Sequence, residues 1–142
     1  MTPSNQRLVL QTMYDAVNYL VLNPQHQTTH AMARDGKGMP VMPLSPAACR
    51  WCALGRIAHD LDLRTQAPFP YHVPTMRNAR EVAKIIDNAV RKELREGYLN
   101  PLGYSAYIFV THNDREDPAH RQQGLKDLAT IIAGHPALLR GY

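Results

Sequence analysis

Two cysteines three residues apart, Cys49 and Cys52, first suggest chemistry in this chain. A redox pair with this Cys-x-x-Cys spacing needs its first cysteine at the N-terminus of a helix, where free backbone amides stabilise the thiolate. The signal Ser45-Pro46 predicts a helix start that makes Cys49 the fourth helical residue, beyond the strongest influence of the helix dipole. We therefore interpret both thiols as small core side chains in a reducing compartment.

The same pair supplies half of the ligands of a structural zinc site. The chain has seven histidines but no second Cys-x-x-Cys, and no histidine pair follows with the spacing of a zinc finger. His26 and His30 are four residues apart, yet they follow Pro24, which ends the preceding helix. We therefore predict no metal site and no other cofactor.

A thiol hydrolase is the sharpest enzymatic hypothesis. Cys52 would be the nucleophile, His112 would take the thiol proton, and Asp114 would orient the imidazole. Residues 112–114 point in different directions, however, and Cys52 is predicted deep in its helix. The competing interpretation makes Cys52 a core residue and Asn113-Asp114 a turn whose side chains bond nearby backbone amides. We keep the hydrolase as a second alternative and favour a protein that is not an enzyme.

A basic stripe runs along the segment 76–96 and could lie against phosphates. It consists of Arg77, Arg80, Lys84, Arg91 and Arg95. Glu81 and Asp87 precede two of these residues by three or four positions, so the opposite charges can also pair on a solvated helix face. The net charge of +4 permits an acidic partner without requiring one. Nucleic-acid binding is therefore the first alternative function.

The elements that must position these residues follow from apolar side chains that recur every three or four positions between proline and glycine stops. This pattern predicts helices at 7–22, 46–62 and 76–96 and a last helix after Asp117-Pro118. Asp35-Gly36 suits the turn of a short hairpin between 28–33 and 37–42. The segment 104–111 is compatible with strand or helix.

We therefore expect one globular domain over residues 1–142 with a mainly α fold. It would be a compact orthogonal bundle of four to five helices with long proline-rich joints and room for one small β-hairpin or strand pair. Trp51 is expected to be a core anchor. Gly55 lies inside a predicted helix, where glycine costs about 1 kcal/mol relative to alanine, so we expect another backbone to approach it closely.

The segments 31–61 and 108–132 carry short motifs in a recognisable order. Arg50-Trp51-Cys52-Ala53-Leu54-Gly55 follows a Ser-Pro-Ala-Ala helix start, and Asn113-Asp114 precedes a capped helix. This order resembles a family of small uncharacterised proteins of actinobacteria and bacteriophages, in which a Trp-Cys-Ala-x-Gly helix precedes an Asn-Asp turn. Arg56, where the family has a small residue, and the basic helix 76–96 depart from that pattern. The resemblance implies a phage or bacterial accessory protein and brings no activity with it.

The sequence favours a role in binding without catalysis. No apolar run of 18 residues and no signal peptide are present, which predicts a cytoplasmic protein without a membrane contact. Two proline-rich linkers, 23–45 and 65–75, contain apolar residues suited to a contact patch. They are Met39, Val41, Met42, Phe69 and Tyr71. We predict a small intracellular accessory protein, with Phe69 and Tyr71 contacting a protein partner, and leave the oligomeric state open.

Overall fold

The computed structural model describes residues 3–65 and 112–134 of the chain. These residues form three α-helices: α1 (Pro3–Leu22), α2 (Ala53–Thr65) and α3 (Pro118–Ala133). A single 3₁₀ turn, Pro24–His26, follows α1. Three two-residue strands lie between this turn and α2: β1 (Ala33–Arg34), β2 (Pro40–Val41) and β3 (Arg50–Trp51).

The strands make a small antiparallel sheet in the order β2-β1-β3. Ala33 of the central strand pairs with Val41 on one side and with Trp51 on the other. The prediction of a mainly α bundle of four to five helices is therefore wrong: the described residues contain three helices and a three-stranded sheet. The predicted helix 76–96 and the ambiguous segment 104–111 lie outside the described residues.

The predicted helix 46–62 is wrong at its start, because pairing across the sheet overrides the local signal. The Ser45 hydroxyl does accept the backbone N–H of Ala47, at 3.2 Å, as a cap would. The chain then extends instead of coiling, because the N–H of Cys49 donates to the carbonyl of Arg34 across the sheet, at 3.0 Å. The helix begins only at Ala53, after β3 has paired with β1.

The expected hairpin is present around Asp35. One carboxylate oxygen of Asp35 accepts the backbone N–H groups of Lys37 and Met39, each at 2.9 Å. Gly38 has a φ of +84°, which an L side chain rarely adopts. These local bonds fix the turn that connects β1 to β2.

The core lies where α1 packs against both α2 and α3. Burying a large aliphatic side chain contributes about 1.5–3 kcal/mol, so the fully buried side chains of these helices stabilise their packing. They are Leu10, Met13, Val17, Leu20, Leu54, Ile57, Leu125, Leu128 and Ile132. Within the described part of the chain, no helix is both long and apolar enough to cross a membrane.

Two glycines let helices pack directly on backbone. A Cβ atom at Gly55 would overlap the carbonyl oxygen of Met32, which confirms the close approach predicted at this position. A Cβ atom at Gly124 in α3 would overlap the carbonyl oxygen of His112. Because both obstacles are backbone atoms, neither can rotate away as a flexible side chain would.

We expect Gly55→Ala to destabilise the protein, although alanine favours helix. Moving the Met32 backbone should lower the free energy of unfolding by at least about 2 kcal/mol. Gly36→Ala is the matched control, since a Cβ there meets nothing within 4 Å, and it should change stability by less than about 0.5 kcal/mol. Urea unfolding of both variants measures the difference. An equal or higher stability of the Gly55 variant would contradict this packing.

Candidate functional site

The carboxamide of Asn113 is a buried polar group, with Asn113 only 1% exposed. Its Oδ1 accepts the backbone N–H of Ala53 at 2.9 Å and the Nε2 of Gln27 at 3.1 Å. Its Nδ2 donates to the carbonyl of Thr28 at 3.0 Å and to Asp114 Oδ1 at 2.7 Å. The amide therefore uses both donors and accepts two bonds. We call these five residues the Asn113 network.

The Asn113 network caps a helix from a distance. The first amides of a helix have no partner inside it, and a preceding side chain usually accepts one of them. At the start of α2 the Cys52 Sγ accepts the N–H of Gly55 at 3.3 Å. The N–H of Ala53 is taken by Asn113, which is 60 positions away in sequence. The sequence around Asn113 predicts only bonds to nearby backbone, because a remote partner leaves no local signal.

Cys52 lies at the boundary of α2, not deep within a helix as predicted. Its residue is 3% exposed, and its thiol belongs to the core with Leu54 and Ile57. Burial raises the pKa of the Cys52 thiol from 9.0 to about 12, and the charge of Asp114 adds to the rise. The Gly55 amide lowers this pKa but does not offset the burial. The thiol is therefore protonated at neutral pH. Cys49 is exposed, so the interpretation of both thiols as core side chains is wrong for this residue.

Of the other two predicted catalytic residues, Asp114 belongs to the Asn113 network and His112 directly precedes Asn113. His112 is half-buried and helical. Asp114 Oδ2 lies 3.8 Å from the Nδ1 of His30, whose side chain is 68% exposed. A thiol nucleophile must be deprotonated and accessible. The surroundings of Cys52 provide neither condition and lend the hydrolase hypothesis no support.

His30 has a backbone conformation that is uncommon for its residue type. Its φ is +61°, in the left-handed region that costs most L residues about 1–2 kcal/mol. Such strain persists only where neighbouring contacts enforce it, and it is frequent near functional sites. The segment just before His30, residues 27–29, is held by the Asn113 network and borders a cleft.

This cleft is an open cavity of about 290 Å³. Its lining combines two guanidinium groups with neutral amides, hydroxyls and two prolines, and it includes no carboxylate. The lining residues are Pro24, Gln27, Thr28, Thr29, Arg50, Pro118, Arg121 and Gln122. They come from three separate parts of the chain. Their types and spacing did not single them out in the sequence.

Arg34 holds one wall of the cleft from behind. Its Nε donates to the Thr28 hydroxyl at 3.0 Å, and one terminal nitrogen donates to the Thr29 carbonyl at 3.1 Å. The other terminal nitrogen donates to the carbonyl of Gly38 at 2.9 Å. The planar guanidinium thus ties the wall to the β1–β2 turn and leaves the Thr29 hydroxyl uncommitted to Arg34.

The opposite wall is held by bonds of Arg121 and Gln122. Arg121 donates through Nε to the carbonyl of Arg115 and through a terminal nitrogen to the carbonyl of Glu116 at 2.7 Å. The Nε2 of Gln122 lies 3.4 Å from Gln27 Oε1, at the long end of a hydrogen bond. The two walls are therefore joined through Gln27 to the Asn113 network.

A second charged cluster surrounds Arg56. Its guanidinium carbon lies 4.0 Å from the ring centre of Tyr19 and 4.7 Å from that of Trp51. Asp60 Oδ1 lies 3.2 Å from its Nε, so the carboxylate balances the positive charge of the guanidinium. The two groups are not aligned for a hydrogen bond. Trp51 donates to the carbonyl of Pro43 at 3.0 Å and is 8% exposed. This burial confirms the predicted role of Trp51 as a core anchor.

The remaining predicted site residues lie outside the described residues. These are the basic stripe, Arg77, Arg80, Lys84, Arg91 and Arg95, and the expected partner contacts Phe69 and Tyr71. Across residues 3–65 and 112–134, no group of three or more His, Cys, Asp or Glu side chains is arranged to hold a metal ion.

Replacing Asn113 by alanine should strongly destabilise the fold. The change leaves the Ala53 N–H and the Thr28 carbonyl without their partner, and an unsatisfied buried group costs about 1–3 kcal/mol. We expect a loss of about 2–4 kcal/mol in the free energy of unfolding, measured by denaturant titration. Gln123→Ala, which removes an exposed amide bonded to Asp127, is the control and should shift stability by less than about 0.5 kcal/mol. Similar small losses in both variants would refute the network as a stabilising element.

The two thiols should differ sharply in reactivity. At neutral pH a maleimide probe should label one thiol of the native protein, Cys49, and label Cys52 only after denaturation, because Cys52 is buried and protonated. Mass spectrometry of the labelled peptides identifies the site. The Cys49→Ser variant is the control and should show almost no native labelling. Rapid labelling of native Cys52 would contradict its assignment to the core and restore the hydrolase hypothesis.

Comparison with known proteins adds no relative: neither a protein-family model, nor a curated protein, nor a solved structure matches this chain. The resemblance to the actinobacterial and phage family therefore stays a prediction.

Proposed function

We propose that this protein binds a protein partner without catalysis, through the surface formed by the cleft and the β1–β2 turn. The observation that carries the proposal is the cleft itself. Its walls are held in place by Arg34 and the Asn113 network before any ligand arrives. Such preorganisation lowers the entropic cost of ordering side chains on binding.

The turn adds an apolar group to this polar surface. Met39 is 61% exposed at the end of the β1–β2 turn. Its neighbour Gly38 lies beside the guanidinium of Arg50: a Cβ atom built on Gly38 would be 3.8 Å from a terminal nitrogen of Arg50. Methionine and arginine are both enriched at protein interfaces. The pair supports a contact surface that reaches from the cleft to the turn.

The alternatives receive less support. The thiol hydrolase would require Cys52 to leave the core and lose its proton against a pKa of about 12. Nucleic-acid binding through the helix 76–96 stays an alternative whose basic residues lie outside the described part. A cytoplasmic accessory protein of bacterial or phage origin remains our proposal for its setting. It is supported by the motif resemblance, and the two unpaired cysteines suit a reducing compartment.

Affinity capture with matched baits tests this function. The tagged wild-type protein should retain a saturable partner from a bacterial host lysate, and the partner should elute with unchanged mass. Met39→Glu, which puts a charge on the contact surface, should reduce capture at least about tenfold, a loss of about 1.4 kcal/mol. Thr130→Glu should not reduce capture. It adds the same charge to α3, but at a position about 13 Å along the helix from Arg121, given a rise of about 1.5 Å per residue.

Two results would reject the proposed function. One is the absence of any partner that saturates on the wild-type bait. The other is a captured protein whose mass is altered by incubation with the wild-type bait but unaltered by incubation with Cys52→Ser, which would indicate catalysis by this thiol.

A further inference from the structure

We infer that the cleft is a carboxylate-binding subsite, in which Arg50 and Arg121 hold an acidic side chain of the protein partner. The inference rests on the proposed function and specifies the chemistry that the partner must present. It follows from the state of the two guanidinium groups, from the charge of the lining and from the shape of the cavity.

Arg50 is the cation with unused donors. It alternates with Trp51 along β3, so the two side chains point to opposite faces of the sheet, and Trp51 occupies the buried one. Arg50 lines the cleft, and its guanidinium makes no hydrogen bond or ion pair with another described residue. By contrast, Arg34 donates two hydrogen bonds to the wall of the cleft and a third to the β1–β2 turn. Arg50 thus presents a planar array of up to five N–H donors to a ligand.

Arg121 supplies the second cation in a fixed position. Its bonds to the carbonyls of Arg115 and Glu116 use Nε and one terminal nitrogen. The other terminal nitrogen makes no hydrogen bond within the described residues, and the side chain lines the same cleft as Arg50. A single carboxylate placed between them would gain charge-assisted hydrogen bonds, which are roughly twice as strong as neutral ones.

Two carboxylates of the described residues near the cleft, Asp117 and Asp35, already accept backbone amides. Asp117 precedes the lining residue Pro118 and caps α3 by accepting the N–H of Ala119 at 2.8 Å. Asp35, in the β1–β2 turn, accepts the amides of Lys37 and Met39. Neither side chain lines the cleft. The positive charge of the cleft is therefore not balanced by a carboxylate in its lining.

The lining favours a peptide carboxylate over a nucleic-acid strand. Proteins that bind single strands stack the bases on aromatic side chains, and none of the eight lining residues is aromatic. The cavity of about 290 Å³ has room for one or two side chains. Its neutral donors are the threonine hydroxyls and the Gln122 amide, which can bond the peptide backbone next to an acidic residue; the Gln27 amide already donates to Asn113. The planar guanidinium of Arg50 matches the two oxygens of a carboxylate.

A labelled hexaglutamate peptide is the direct probe, with hexaglutamine as its uncharged counterpart and a dodecamer of thymidylate as the nucleic-acid probe. Fluorescence anisotropy at low salt should show hexaglutamate binding to the wild type at least about tenfold tighter than hexaglutamine. Arg50→Gln should weaken hexaglutamate binding at least about tenfold, whereas Arg50→Lys should recover part of the loss because it restores the charge without the planar fork. Lys126→Gln is the matched control, since its side chain borders a different cavity, and it should change the affinity less than about twofold.

Thr29→Glu provides a second route to the same answer. Arg34 bonds the carbonyl of Thr29, not its side chain, so the substitution should leave the fold intact and place a competing carboxylate in the cleft. It should therefore weaken hexaglutamate binding as Arg50→Gln does. Circular dichroism melting of each variant verifies that the protein remains folded.

Two outcomes would overturn the inference. One is equal hexaglutamate affinity of the wild type, Arg50→Gln and Thr29→Glu. The other is tighter binding of the thymidylate strand than of hexaglutamate, lost in Arg50→Gln, which would make the cleft a nucleic-acid site. Partner capture separates this inference from the proposed function. A partner retained by Arg50→Gln but lost by Met39→Glu would reject the subsite alone, whereas the absence of any saturable partner would reject the function.

Discussion

The buried carboxamide of Asn113 joins three stretches of chain that are far apart in sequence. It bonds the segment at Gln27 and Thr28, the first amide of α2 at Ala53, and its own neighbour Asp114. Each of these groups would lose a partner if the amide moved, and water cannot replace it in a site that is 1% exposed. The positions of the loop, the helix and the turn are therefore determined together.

The carboxamide of Asn113 also fixes part of the cleft wall. Gln27 and Thr28 are partners of Asn113 and also line the cavity. Arg34 adds a second support by bonding Thr28 and Thr29 from the sheet side. Five arginine donor groups of the described residues are thus spent on loop carbonyls or hydroxyls around the cavity. Arg50 differs from them, because it lines the cavity without a hydrogen bond to another described residue.

The start of α2 shows how two opposing effects on one thiol are resolved. The Gly55 amide favours the thiolate of Cys52, as amides at a helix start do in reactive cysteines. Burial disfavours the charge more strongly, and the pKa rises to about 12. The amide therefore serves as a hydrogen-bond donor to a neutral cap. The segment from Cys52 to Gly55 therefore has a packing role, because Gly55 lies directly against the Met32 backbone.

Local features of the sequence determined α1, the Asp117 cap of α3 and the turn at Asp35. Each depends on neighbours within about four positions, through apolar periodicity, caps and turn chemistry. The start of α2 and the fold class escaped prediction, because the pairing of β3 with β1 overrides the local signal at Ser45-Pro46. The bond from Asn113 to Ala53 spans 60 positions, and the cleft draws on three parts of the chain. Only the tertiary structure brings such groups together, since long-range hydrogen bonds depend on the path of the backbone and not on the spacing of residue types.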